Sequence, residues 1–104
     1  MNIKRPKTID EYIDLMHQAV YEIDEMRSSL DYDPEQSQQF GPFIDHLDAQ
    51  VRKVFDDMVA GRYEGGYGED FPFLPIVVKY GCFIPFQRLL MTLNDTHKNG
   101  LDLG

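Results

Sequence analysis

The sequence predicts an all-α protein, a small antiparallel bundle of two long and two short helices. Three observations lead there. Apolar residues recur at three- and four-residue spacing through two long segments, the period of a helix that buries one face. Capping residues and prolines stand where these segments begin, and glycines where they end. The β-branched run Ile76-Val77-Val78 has no second strand in the chain to pair with, so as a strand its backbone groups would go unsatisfied.

The first long helix is predicted over about 9–30. Thr8-Ile9-Asp10-Glu11 is a capping box, in which the Thr8 hydroxyl accepts from the Glu11 amide while the Glu11 carboxylate reaches back. Ile9, Tyr12, Ile13, Met16, Ala19, Val20, Ile23 and Leu30 make its apolar stripe, and Asp10, Glu11 and Asp14 suit the positive end of the helix dipole. Asp31-Tyr32-Asp33-Pro34 reads as a turn, with a short helical turn over Glu35–Gln39. The second long helix is predicted over about 42–60, opened by Pro42 and stopped by Gly61, with Phe43, Ile44, Leu47, Val51, Val54, Phe55 and Met58 facing inward. Residues 62–73 hold glycines, charges and aromatics without a hydrophobic period and read as a loop. Two short helices follow, about 75–80, launched by Pro75 and stopped by Gly81, and about 85–98, opened by Pro85 and ended by Asn99-Gly100.

A chain of 104 residues suits one domain, here 1–104, with residues 1–7 as a flexible basic N-terminus. Mean hydropathy is −0.42, typical of a water-soluble protein. The net charge is −8. Residues 8–35 alone hold nine acids against Arg27, giving −8, while residues 71–104 carry three bases and two acids, giving +1. A field of that sign repels nucleic acid and anionic lipid, so neither direct nucleic-acid binding nor membrane association is expected. Residues 74–93 carry few charges, but Pro75, Gly81 and Pro85 break them and Lys79 and Arg88 interrupt them, so buried helices explain the segment better than a membrane span. No apolar signal run follows the basic start, which gives a cytoplasmic expectation. The single cysteine, Cys82, lies among Tyr80, Phe83 and Ile84 and is expected to be a small buried hydrophobe.

No catalytic or cofactor motif stands out. His17, His46 and His97 lack the spacing of a zinc or di-iron site, and they read as surface residues or, for His97, as a cation at a helix C-terminus. Adjacent acids such as Asp24-Glu25 and Asp56-Asp57 point about 100° apart on a helix and do not form a catalytic pair. Gly65-Gly66-Tyr67-Gly68 lacks the lysine and the preceding strand of a phosphate loop, and Glu64, Glu69 and Asp70 would repel a phosphate. No catalytic residue, cofactor or metal is therefore expected.

The aromatics carry the functional hint. Phe71, Phe73, Tyr80, Phe83 and Phe86 crowd into a short C-terminal stretch beside glycines and prolines, a composition that marks interfaces, and Tyr63 and Tyr67 are candidates for recognition by the loop. The reading that asks least of the sequence is a protein-interaction module or accessory subunit, binding a protein partner or itself as a homodimer through the aromatic C-terminal third. Two alternatives stand beside it. One is an acidic inhibitor that occupies a basic, nucleic-acid-binding surface by presenting the carboxylates of the first long helix as phosphate substitutes. The other is a ligand-binding protein or enzyme with a pocket under the 62–73 loop.

Overall fold

The computed structural model of the chain describes residues 4–65 and 68–102. Among them are four α-helices: α1 (Ile9–Asp31), α2 (Pro34–Val59), α3 (Leu74–Tyr80) and α4 (Gln87–Asn99), with a 3-10 turn at Gly81–Phe83 after α3. The all-α bundle expected from the sequence is the fold. The run Ile76–Val78 is helical.

α1 starts as its capping residues dictate. The Glu11 amide donates to Thr8 Oγ1 at 3.1 Å, and the Glu11 carboxylate accepts from the Lys7 amide at 2.7 Å, one residue earlier than the usual reciprocal bond. Tyr12, Met16, Ala19, Val20, Ile23 and Leu30 are buried. Ile9, expected on this stripe, is largely exposed.

α2 departs from the expectation. It begins at Pro34, not Pro42, and absorbs the short turn predicted over Glu35–Gln39, so that Pro42 lies inside the helix. An interior proline removes one backbone hydrogen bond and costs about 3 kcal/mol. Packing on both sides of Pro42 offsets it: Phe40, in the added turns, lies 4.9 Å from Phe83, and Phe43 stacks on Tyr80 at 4.2 Å. The helix ends in a Schellman motif, with Gly61 at φ +76°, its amide bonded to the Met58 carbonyl and the Arg62 amide to the Asp57 carbonyl.

Gly81 follows the last residue of α3, where the sequence places its stop. It is not left-handed but has φ −55° and leads into the 3-10 turn. What it supplies is space, because a Cβ there would run into the Gln87 side-chain amide. Pro85 stands two residues ahead of α4, which begins at Gln87 and stops where Gly100 takes φ +87°.

α1 and α2 form an antiparallel hairpin clamped by Arg27–Asp45, Arg27–Asp48 and Arg52–Asp24 ion pairs. α4 runs antiparallel to α1: Leu93 meets Tyr12 near the start of α1, while Phe86 lies beside Glu22. Leu47, Val51, Ile23, Val77, Leu89, Leu90 and Leu93 make up much of the core between them. Each such side chain contributes about 1.5–3 kcal/mol by leaving water. At the N-terminal end, Arg5 and Pro6 lie against residues late in the chain. Pro6 is buried, its carbonyl accepts from the Asp102 amide at 2.8 Å, and Arg5 approaches Asp95 at 3.9 Å.

Candidate functional site

Of the five C-terminal aromatics, Phe71, Phe73 and Phe86 belong to the core. Phe71 stacks on Phe73 at 4.8 Å and on His97 at 3.8 Å, so the loop lends its last residues to the interior although it has no helical period. Tyr80 is half-buried against Phe43, and Phe83 remains 48% exposed. Cys82 is exposed, contrary to expectation. Successive residues of a 3-10 turn point about 120° apart, so apolar neighbours in sequence do not share a face. Tyr63 is half-buried, and Tyr67 lies outside the described residues.

Phe83 stands at the edge of a groove. α1 forms one wall through Glu22, Glu25, Met26, Ser29 and Leu30, and Phe40, Phe83, Pro85 and Phe86 form the other. A second depression continues it past Gln18 toward Gln87, Arg88 and Leu89. The groove exists because α1 and α4 differ in length. The 23 residues of α1 run about 35 Å and the 13 of α4 about 20 Å, so α4 covers only the N-terminal part of α1. Tyr21, exposed on α1, has its phenol pKa raised by the Glu25 carboxylate beside it.

A polar network crosses the opposite end of the bundle. The Tyr12 hydroxyl donates to the Leu93 carbonyl at 3.1 Å and lies 3.1 Å from the Tyr63 hydroxyl, which in turn is 2.7 Å from His97 Nδ1. Since Tyr12 gives its proton to a carbonyl, its oxygen accepts from Tyr63, and the Tyr63 oxygen accepts from His97. A proton on His97 Nδ1 satisfies every contact in the chain. Burial raises the pKa of both phenols and lowers that of His97 against the opposing pull of Glu69 and Asp70. Beside this chain, the buried Asn94 accepts from the Phe71 amide at 2.7 Å and donates to Asp70 at 3.0 Å. That Asn94 bond, with Lys98 at 3.5 Å, lowers the Asp70 pKa. Asn94 escaped the sequence reading, although its place four residues after Leu90 puts it on the inner face of α4.

The histidines do not converge. His17 and His46 are exposed, the first 5.5 Å from Phe55 and the second 3.5 Å from Gln50. His97 sits in the last turn of α4, as expected for a cation there, but its ring is engaged by Phe71 and Tyr63. Among the described residues no group of three metal-binding side chains is assembled, and no helix is long and apolar enough to cross a membrane. Beside the 62–73 loop lie two open depressions sharing Asp70 and Leu74, one running to Val78 and the other to Met91 and Lys98. On the α1–α2 face, Arg27 and Arg52 engage Asp24, Asp45 and Asp48, drawing three carboxylates into internal ion pairs. No protein-family model matches the chain, and neither a curated protein nor a solved structure matches it significantly.

Proposed function

We propose that this domain is a protein-interaction module whose working surface is the groove between the C-terminal half of α1 and residues 83–86. The observation that carries this reading is Phe83, a large aromatic left 48% exposed at the groove edge against Phe40. Exposed aromatic surface on an apolar floor is characteristic of contact sites, where a few such anchors carry most of the binding energy. The groove joins residues from α1, α2 and the segment before α4, so a partner seated there would read the assembled bundle and not one helix.

The phosphate-mimicking alternative has less in its favour, because Asp24 of α1 is held by Arg52 and Arg27 sets a cation among the α1 carboxylates. Self-association through the same groove would bring Glu22 and Glu25 of two copies toward each other across a two-fold axis, which favours a different protein as partner.

The test is capture from native extract with the wild type, Phe83→Ser and, on another face, Val78→Ser. The same partner should appear with the wild type and Val78→Ser and disappear with Phe83→Ser, while circular dichroism of all three stays helical. A capture profile unchanged by Phe83→Ser would reject the groove as the working surface.

A further inference from the structure

We infer that the groove accepts a cationic amphipathic helix, its apolar stripe against Phe83, Phe40 and Met26 and its Lys or Arg side chains against Glu22 and Glu25. This rests on the groove being the working surface, and adds the chemistry of what fills it.

Two observations point to that occupant. The first is shape. From Gln18 to Leu30 the groove and its continuation follow α1 for about 18 Å, the length of some three helical turns, and the opposite wall supplies apolar surface from Phe40, Phe83 and Pro85. A trough of that length with aromatic side chains along one wall fits an amphipathic helix laid along it. The second is charge. Glu22 and Glu25 are one turn apart on α1 and both border the groove, so they form an acidic edge above an apolar floor. The surrounding protein carries −8, which draws a cationic segment in and repels an acidic one. Arg88 borders the continuation at the α4 end, so the cation-accepting stretch is confined to the Glu22–Glu25 side. A partner helix with basic residues three or four apart along one edge of its apolar stripe meets both carboxylates at once.

The probe is a fluorescent helical peptide of about 18 residues with a leucine stripe flanked by lysines, compared with the same peptide carrying glutamine for lysine. Fluorescence anisotropy gives the affinity for wild type, Phe83→Ser and the double variant Glu22→Gln/Glu25→Gln. The lysine peptide should bind wild type about five- to tenfold tighter than the glutamine peptide, the advantage expected of two exposed ion pairs. That advantage should vanish in the double variant and shrink as salt is raised from about 50 to about 300 mM. Phe83→Ser should weaken both peptides. Equal binding of the two peptides by wild type overturns the cationic partner while leaving the apolar groove intact. An advantage that survives the double variant also overturns it, since the charge would then be read elsewhere. If neither peptide binds, the helical occupant is wrong. A wild-type dimer that Phe83→Ser dissociates would identify a second copy of the chain as the occupant instead.

Discussion

The Tyr63 hydroxyl bridges Tyr12 and His97, beside the ring contacts that Tyr63 makes with both. Tyr63→Phe leaves the His97 Nδ1 proton without its acceptor and the Tyr12 oxygen without its donor, so it should cost about 1–2 kcal/mol in urea unfolding. An equal stability for both proteins would mean that water replaces the hydroxyl. His97 makes this end of the molecule sensitive to pH. Burial holds its folded-state pKa below the usual 6.5, so between those two values the unfolded chain binds more protons than the folded one. The stability associated with a neutral His97 is therefore complete above 6.5 and is lost as pH falls from 6.5 through the folded value. Unfolding free energies followed from about pH 7 to about pH 5 should decline, and the decline should be shallower in His97→Gln, which removes the titrating group. Asn94 belongs to the same scale: Asn94→Leu keeps the branched shape but strips the buried Phe71 amide of its acceptor, for a loss of about 1–3 kcal/mol. None of these partnerships was legible in the sequence. Tyr12 and Tyr63 stand 51 residues apart, and periodicity places a residue on a face without saying which distant side chain it meets.

At the scale of elements, the sequence was informative wherever a local rule acted without competition. The Thr8 cap, the stripe from Tyr12 to Ile23 and the Gly61 stop depend on residues within one or two turns of each other, and the helices form where they indicate. Pro42 misled because the rule that places proline at a helix start is a local preference, and the contacts of Phe40 and Phe43 with Phe83 and Tyr80 are not local. The extension of α2 should accordingly depend on those contacts. Phe40→Ala should release the turns from Pro34 to Gly41, seen as faster amide exchange there with Leu47–Met58 still protected. Unchanged exchange would show that the turns hold by themselves. Leu47→Ala, at the centre of the same helix and fully buried, should instead destabilise the whole fold by about 2–5 kcal/mol. The α3–α4 corner offers a similar check. Gly81→Ala forces the Gln87 amide aside, so its cost should be smaller when Gln87 is already alanine, and a double-mutant cycle measures the difference.

At the scale of the whole molecule, charge and shape act on the same question, whether two copies adhere. The bundle measures 45 × 26 × 22 Å, and its exposed apolar groove lies on the part of α1 that α4 is too short to cover. Apolar surface of this kind favours association, and two copies placed groove to groove would gain by covering Phe83 and Phe40. They would also set Glu22 and Glu25 of one copy against the same residues of the other, within a pair carrying −8 on each chain. Repulsion between exposed charges is modest for each pair, but it is repeated by symmetry and partly desolvated in a closed interface, while the apolar gain is limited to a narrow trough. Repulsion should therefore prevail, and sedimentation equilibrium of the wild type should return the 12.1 kDa monomer at low salt. Glu22→Gln/Glu25→Gln removes the opposing term and leaves the apolar floor unchanged. That variant should show concentration-dependent dimerisation, abolished again when Phe83→Ser is added. If the double variant sediments as a monomer over the same concentrations, like-charge repulsion is not what keeps copies of this chain apart, and the groove is too narrow for a second bundle to enter.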